Sequence, residues 1–410
     1  MAWSQNTTFT SKVTAITAAF LNALNTVMNK VTVLETSVAA DAGKNLTIDS
    51  AGDVALTDSQ TTDNLIWNPD FTIWQRGTSF TTAIGSDFYT ADAWQMQTAA
   101  LSTGVVTVTQ STTVPTQAES GMLSEFSLKM EATTVIPSVA ATTHVTLTGL
   151  VEGPDVAVWA QEEVTVSFWC RSNQTGTYAL GLGTNVGGLF KYVTTFTVDV
   201  ADTWELKTKQ ITLNPAGDVT RNVNEIGLLF FITPVAGTSA DVDTDDIWDT
   251  QTEFGSPSQD RTWGTTVNDD FYIAQVKING GSNRGKFHKI PFTQEYLRAQ
   301  RIFYKTFPYA TTPAQNAGVD GALVERAANT GDFTFNVVYP VPMAKTNLTV
   351  TTYNPSAANA EARNITDSTD EAVSEISDSD KSVHIRQTAT DASHADDEMA
   401  LHVTVETSLT

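Results

Sequence analysis

From residue 64 to about 278 the chain repeats one pattern. Short strand-like runs recur, punctuated by Gly, Pro, Asn and Asp, and the run from Val164 to Cys170 alternates as a half-buried strand does. Successive side chains of a strand point to opposite faces, so such a run buries one face and has to find it in a sheet. The runs are 105–109, 144–150, 164–169, 178–182, 192–198, 205–213, 226–232 and 271–278. Threonine, β-branched and stiff at χ1, is abundant and lysine is scarce, which favours strand over helix. Eight or more antiparallel strands in this span predict a two-sheet sandwich or jelly roll with long loops.

The first forty residues follow a different period. Phe20, Leu24, Val27, Val31, Leu34 and Val38 are spaced 4, 3, 4, 3, 4, a heptad seam that Val13 and Ile16 extend with one phase slip. Thr10 or Ser11 can cap the start and Gly43 supplies a stop. A helix of about four heptads is marginal alone. It needs further copies of itself, a socket on another protein, or its own domain to pack on. Segments 45–57 then read as two short strands around the turn Ser50, Ala51, Gly52, Asp53. Residues 293–304 have helical spacing at Tyr296, Leu297, Ile302 and Phe303, and lead to a second β region with strands at 333–339, 348–353, 383–386 and 401–405.

The expected architecture is mainly β. Residues 1–43 form an α-helical, coiled-coil-like anchor whose seam residues drive oligomerisation, and 44–63 a short β linker. Residues 64–292 form a central jelly-roll β-sandwich, and 293–410 a linker helix with a C-terminal β-sandwich domain.

The formal net charge of −23 argues against nonspecific nucleic-acid binding, which needs clustered Lys and Arg. Twelve acidic against three basic residues lie between 355 and 410. A basic island at the junction of the two β regions (Lys277, Arg284, Lys286, Lys289, Arg298, Arg301, Lys305) is expected to face acidic surface of a neighbouring subunit, or to serve local solubility. The single Cys170 excludes an intrachain disulfide and reads as a buried small hydrophobe. No run reaches the ~18 apolar residues of a membrane span. Met1 to Gln5 carry no basic segment followed by an apolar one, so synthesis in the cytoplasm without general secretory export is expected.

Signatures of catalysis are missing: no nucleophile elbow, P-loop, dinucleotide fingerprint or His-Glu-x-x-His occurs. Histidines 144, 288, 384, 394 and 402 are isolated in sequence, and no carboxylate pair stands out for glycoside cleavage. The expectation is a protein that is not an enzyme and requires no cofactor. Asp241, Asp243 and Asp245, alternating on one loop, could wrap a hard cation such as calcium, although the EF-hand glycine and closing glutamate are missing. A solvated turn is the other reading. Trp169 falls on the inward phase of its strand, whereas Trp248 and Trp263 sit in polar, loop-like contexts. They are the candidates for exposed faces that stack on sugar rings, against partial burial under a loop.

The run Asn64-Leu65-Ile66-Trp67-Asn68-Pro69-Asp70-Phe71-Thr72-Ile73-Trp74-Gln75-Arg76-Gly77, followed by Thr90-Ala91-Asp92-Ala93-Trp94, resembles the opening of a module found in many bacteriophage virion proteins, itself similar to jelly-roll carbohydrate-binding domains. Later landmarks keep order and spacing: Val151-Glu152-Gly153, the strand at 164–171, Asp202-Thr203-Trp204 and the strand at 271–276. Arg301-Ile302-Phe303-Tyr304 and Val338-Tyr339-Pro340-Val341-Pro342-Met343 are similar to the C-terminal β-domain that follows this module in phage fibre and tail proteins. The family often has Asp-Arg-Trp where this chain has Asp92-Ala93-Trp94, so that arginine's salt bridge is missing here. In sugar-binding relatives a structural calcium lies near the first and last strands, which implies Asp70 and Asp270 as its ligands.

The resemblance implies a virion fibre, most simply a homotrimer, attached to other virion proteins through its N-terminus and binding a host cell-surface glycan. A head- or neck-attached fibre or capsid decoration protein needs the same parts without a receptor. A tailspike depolymerase would add a paired-carboxylate cleft.

Overall fold

The computed structural model describes residues 44–48, 54–58, 64–82, 87–185, 189–214, 225–250, 252–328, 333–387 and 394–407. The chain divides into two compact units, residues 1–62 and 63–410. In the first, β1 (Lys44–Ile48) and β2 (Val54–Asp58) pair antiparallel, with Ile48 opposite Val54 as the expected hairpin requires. The heptad residues Phe20, Leu24, Val27, Val31, Leu34 and Val38 lie outside the described residues.

The second unit begins with two antiparallel sheets. The six-stranded sheet has the order β12 (Glu205–Thr212), β9 (Glu163–Ser172), β15 (Asp270–Gly280), β7 (Ser127–Thr134), β6 (Val105–Ser111), β3 (Ser79–Thr81). The seven-stranded sheet runs β14 (Trp248–Asp249), β11 (Leu189–Val198), β10 (Gly176–Asn185), β13 (Ile226–Ala236), β8 (His144–Glu152), β5 (Trp94–Ala99), β4 (Asp87–Tyr89). The chain crosses between them repeatedly: β3 to β4, β5 to β6, β7 to β8, β8 to β9, β9 to β10, β11 to β12, β12 to β13 and β14 to β15. That winding makes a sandwich of the jelly-roll kind.

The alternation read in the sequence is the inward face. Val164, Val166, Phe168 and Cys170 of β9 are fully buried against Leu180, Leu182, Phe230 and Ile232 of the facing sheet. Phe168 meets Phe196 and Phe230 at ring-centroid distances of 5.1 and 6.1 Å. Burial pushes the Cys170 thiol up to about 12, so it packs as an inert hydrophobe. The seven-stranded sheet is buried on its outer face too. Leu150, Ala179, Val193, Leu229 and Phe231 are covered by Val242, by Ile302 and Ala344, and by the partly buried Phe254.

One interruption positions the site. Gln275 of β15 takes a left-handed backbone (φ 49°), and the register against β9 shifts between Ala274 and Lys277. The bulge frees the Val276 N–H to donate to the Pro69 carbonyl (2.9 Å), while the Asn64 amide bridges to Val276 and Ile278. The segment from Asn64 is thereby laced along the last strand of the sandwich.

After the sandwich comes a helix, Phe292–Gln300, shorter than the expected 293–304. Ile302 is drawn instead into the cover of the seven-stranded sheet, and Phe303–Lys305 forms β16. The remaining strands gather around β24 (Glu398–Glu406). It pairs with β16 and β19 (Thr349–Tyr353) along one half, and with β17 (Leu323–Arg326) and β20 (Ala362–Asn364) along the other. β18 (Thr334–Val338), β23 (Ser382–Gln387) and β22 (Val373–Asp378) form a three-stranded sheet. Phe335, Val383, Ile385, Met399, Leu401, Val403 and Val405 build a second apolar core, separate from that of the sandwich. Among the described residues no helix is long and apolar enough to cross a membrane.

Candidate functional site

The segment that carries the family resemblance, 64–94, forms a polar joint between the sandwich and the β24 sheet. The Asn68 side chain accepts from the Ile73 N–H (3.0 Å) and donates to the carbonyls of Ile73 and Asp92 (2.9 and 3.0 Å), which closes the Pro69–Phe71 turn on itself. Its own N–H donates to Glu295 Oε1 at 2.6 Å. Asp92, with no exposed surface, accepts from the Gln75 N–H (2.7 Å), Gln75 Nε2 (3.2 Å) and Arg76 Nη1 (2.9 Å). Burial raises the Asp92 carboxyl above its ordinary range, with Arg76, Gln75 and Lys305 pulling the other way. The arginine missing at position 93 therefore has a substitute: Asp92 is paired, through Arg76.

Arg76 continues across the joint. Its Nη2 and Nε reach Glu406 Oε1 on β24 (2.9 and 3.2 Å), and its guanidinium lies 4.5 Å from the Tyr89 ring centre and 4.0 Å from that of Phe303. Lys305 donates to the carbonyls of Gln75, Tyr309 and Thr311 at 2.7–2.8 Å, and burial draws its ammonium down to about 8.

Beside this joint opens a cleft of about 640 Å³. Its floor is the Arg76–Glu406 pair. Phe80, Phe88 and Tyr89 form the apolar wall; Asp87, Gln95, Asn347 and Thr349 are among the polar groups lining it. Phe80 and Phe88 are half-buried, 6.2 Å apart between ring centres, and Trp74 continues the row behind Phe80 at 6.3 Å. Flat apolar faces beside donors and acceptors match the two-sided chemistry of a sugar ring, C–H on its faces and O–H on its edge. Sequence reading missed this cleft, because its wall comes from β3 and β4 and its far side from residues 347–349 and β24. Only the fold joins them.

The expected sugar-stacking tryptophans lie elsewhere. Trp263 is 2% exposed and belongs to the sandwich core, so it offers no face to a ligand. The polar context that suggested exposure is a loop folded over it. Trp248 is half-buried on Tyr192 (5.8 Å), and its indole N–H donates to the Thr212 carbonyl (2.7 Å).

Nor does the fold assemble the expected cation ligands. Asp70 pairs with Lys289 (3.3 Å) and accepts from the Thr72 hydroxyl. Asp270 accepts from the Asn173 N–H (2.9 Å), with Arg171 at 4.0 Å. Asp241 is engaged by Arg261, and Asp245 accepts from the Ser256 hydroxyl (2.7 Å). Asp241 and Asp243 line a shallow acidic surface with Asp249 and Glu253. Among the described residues neither set contains three ligating side chains gathered within reach of one ion.

Part of the basic island is engaged within the chain. Lys305 and Arg301 serve the joint, with Arg301 on Glu152 at 2.7 Å. Lys289 pairs with Asp70 and Glu125, and the buried Lys277 donates to the Lys286 carbonyl. Arg301 and Lys305 thus link the sandwich to the C-terminal strands within one chain, while Lys286 and Lys289 are exposed.

No protein-family model matches this sequence, and no curated protein sequence does. Among solved structures, the enzymatically active domain of tailspike protein 4 of bacteriophage CBA120 aligns at 12% identity over 53% of this chain and 21% of that one, with a TM-score of 0.31. The match thus spans about a fifth of the tailspike domain. A putative sugar-binding protein from Bacteroides thetaiotaomicron aligns at 11% identity over 53% of this chain and all of its own, with a TM-score of 0.30. TmCBM61, solved with β-1,4-galactotriose, aligns at 14% identity over 53% of this chain and 99% of its own, with a TM-score of 0.26. The sandwich assignment rests on the strand order rather than on these scores.

Proposed function

We propose that this chain is a non-enzymatic structural protein of a phage particle, and that it binds a host-surface glycan in the cleft between β3, β4 and the β24 sheet. The observation that carries the binding reading is the composition of that cleft, with Phe80 and Phe88 beside Arg76, Asp87, Gln95 and Asn347. The virion context is supported by the resemblance of residues 64–94 and 301–343 to phage fibre modules. A fibre would supply what a shallow cleft lacks: copies held together by the heptad segment bind a repetitive surface by avidity. A depolymerase is disfavoured by the cleft's Glu406, which is committed to two charge-assisted bonds with Arg76.

The test is binding of the purified full chain to host cells and to their isolated surface polysaccharide, beside Phe88→Ala. Specific binding reduced in the variant supports the reading, and release of oligosaccharide would replace it with the depolymerase. An absence of binding to any host glycan would leave a head- or neck-attached decoration protein.

A further inference from the structure

Far along the chain from the cleft residues 76–95, four side chains converge at the turn between β20 and β21 (Asp370–Glu371) and the entry to β24. His394 Nδ1 lies 3.3 Å from Asp397 Oδ2 and 3.6 Å from Asp367 Oδ2, and its Nε2 lies 2.9 Å from Glu371 Oε1. The ligating atoms of Asp367, His394 and Asp397 all fall within 4.8 Å of one another. With Nε2–H donating to Glu371, the Nδ1 lone pair faces the two aspartates, an orientation that a carboxylate behind an imidazole imposes in metal sites.

The cluster is held from outside. Asn364, fully buried on β20, accepts from the Asp367 N–H (3.0 Å) and donates to Asp397 Oδ2 (2.8 Å), and its amide nitrogen lies 3.1 Å from His394 Nδ1. Thr366 Oγ1 accepts from the Glu398 N–H at 3.0 Å, and the Ile365 N–H donates to the Glu398 carbonyl at 2.8 Å, so the two chain segments are fixed to each other. Three carboxylates thus surround one imidazole. Among the described residues no lysine or arginine ion pair involves Asp367, Glu371 or Asp397. The neighbouring Arg363 is turned to Asp370 (3.0 Å). One imidazole gathered with carboxylates is a mixed nitrogen–oxygen donor set, which suits a borderline divalent cation, because hard ions such as calcium favour oxygen alone.

We propose that Asp367, His394 and Asp397 bind a divalent cation of the zinc or manganese type, with Glu371 positioning the imidazole. The ion would displace the Asn364 amide from the lone pair and lock the β20–β21 turn to the start of β24. It is independent of the glycan cleft.

The experiment strips the full chain with EDTA and titrates Zn²⁺ alone by calorimetry, following melting temperature in parallel. One Zn²⁺ per chain and a raised melting temperature are expected, with Ca²⁺ binding more weakly. His394→Ala and Asp397→Asn should abolish that binding, and Glu371→Gln should weaken it about 10–100-fold with the far-ultraviolet spectrum unchanged. Affinity should fall as pH drops below ~6 and protons compete for the imidazole. Should the buried-site variants fail to fold, Asp367→Asn, at an exposed position, carries the test. No Zn²⁺ uptake by the wild-type chain, or full uptake by a folded His394→Ala or Asp367→Asn protein, overturns the proposal.

Discussion

The inside of the sandwich and the joint beside it are held by opposite means. Between the sheets, apolar rings and branched chains interlock. At the joint, the buried Asp92 and Lys305 and the half-buried Arg76 hold charges that have value only as a set. Non-directional packing tolerates a missing contact in proportion to the volume lost. A buried charge whose partner is removed costs its full desolvation. The joint is therefore the more specific of the two attachments and the more brittle one.

The largest effect belongs to the sandwich. Phe230→Ala opens a hole between Phe168 and Trp94 and should lower stability by about 3–5 kcal/mol in urea denaturation. If it costs under 1 kcal/mol, the two-sheet core is not the main source of stability. Next comes the joint: Asp92→Ala removes the carboxylate that both Arg76 and Lys305 act on, and should cost ~3 kcal/mol. Combining Asp92→Leu with Arg76→Met should recover part of that loss, whereas a merely additive double variant would mean the charges act singly.

The pH dependence sharpens the same contrast. Burial pushes the Glu295 carboxyl from 4.5 up to about 7, so the folded chain holds a proton that the unfolded chain releases earlier. Its contribution is complete below pH 4.5, declines as pH rises toward 7, and is flat above. Glu295→Gln should remove a decline on the order of 2 kcal/mol between those limits, read from denaturation at pH 5 and 7.5. An identical pH profile in variant and wild type would place that carboxyl in water. The smallest change in stability is expected at the cleft. Phe88→Ala should cost under about 1 kcal/mol in folding, while glycan affinity falls about tenfold, a loss of ~1.4 kcal/mol.

Sequence reading did well where one residue pattern had one cause. The eight strand runs named from the sequence each lie on an observed strand, although β8, β13 and β15 are buried on both faces. β5 and β7 escaped notice because Gln, Met, Lys, Glu and Ala, good helix formers, supply WQMQTA and SLKMEATT, and pairing in the sheet overrides that preference. The helix ending was misread because Ile302 and Phe303 fit a helical period but have better burial elsewhere. The site was barely legible. Tryptophan in a polar loop looked exposed, whereas Trp263 is roofed by its own loop. The ion pair of Asp92 was not foreseen, since its arginine sits sixteen positions earlier. The His394 cluster likewise draws on residues too far apart for any motif.

The bond from Arg76 to Glu406 spans 330 positions. During synthesis at roughly 5–20 residues per second, the earlier partner emerges tens of seconds before the later one exists. For that interval Asp92 and Arg76 are without the strand that covers them, and the sandwich must stand with its flank open. The last strand then closes four pairings and the joint together. A chain that has not yet added β24 therefore carries the Asp92–Arg76 seam without its Glu406 partner.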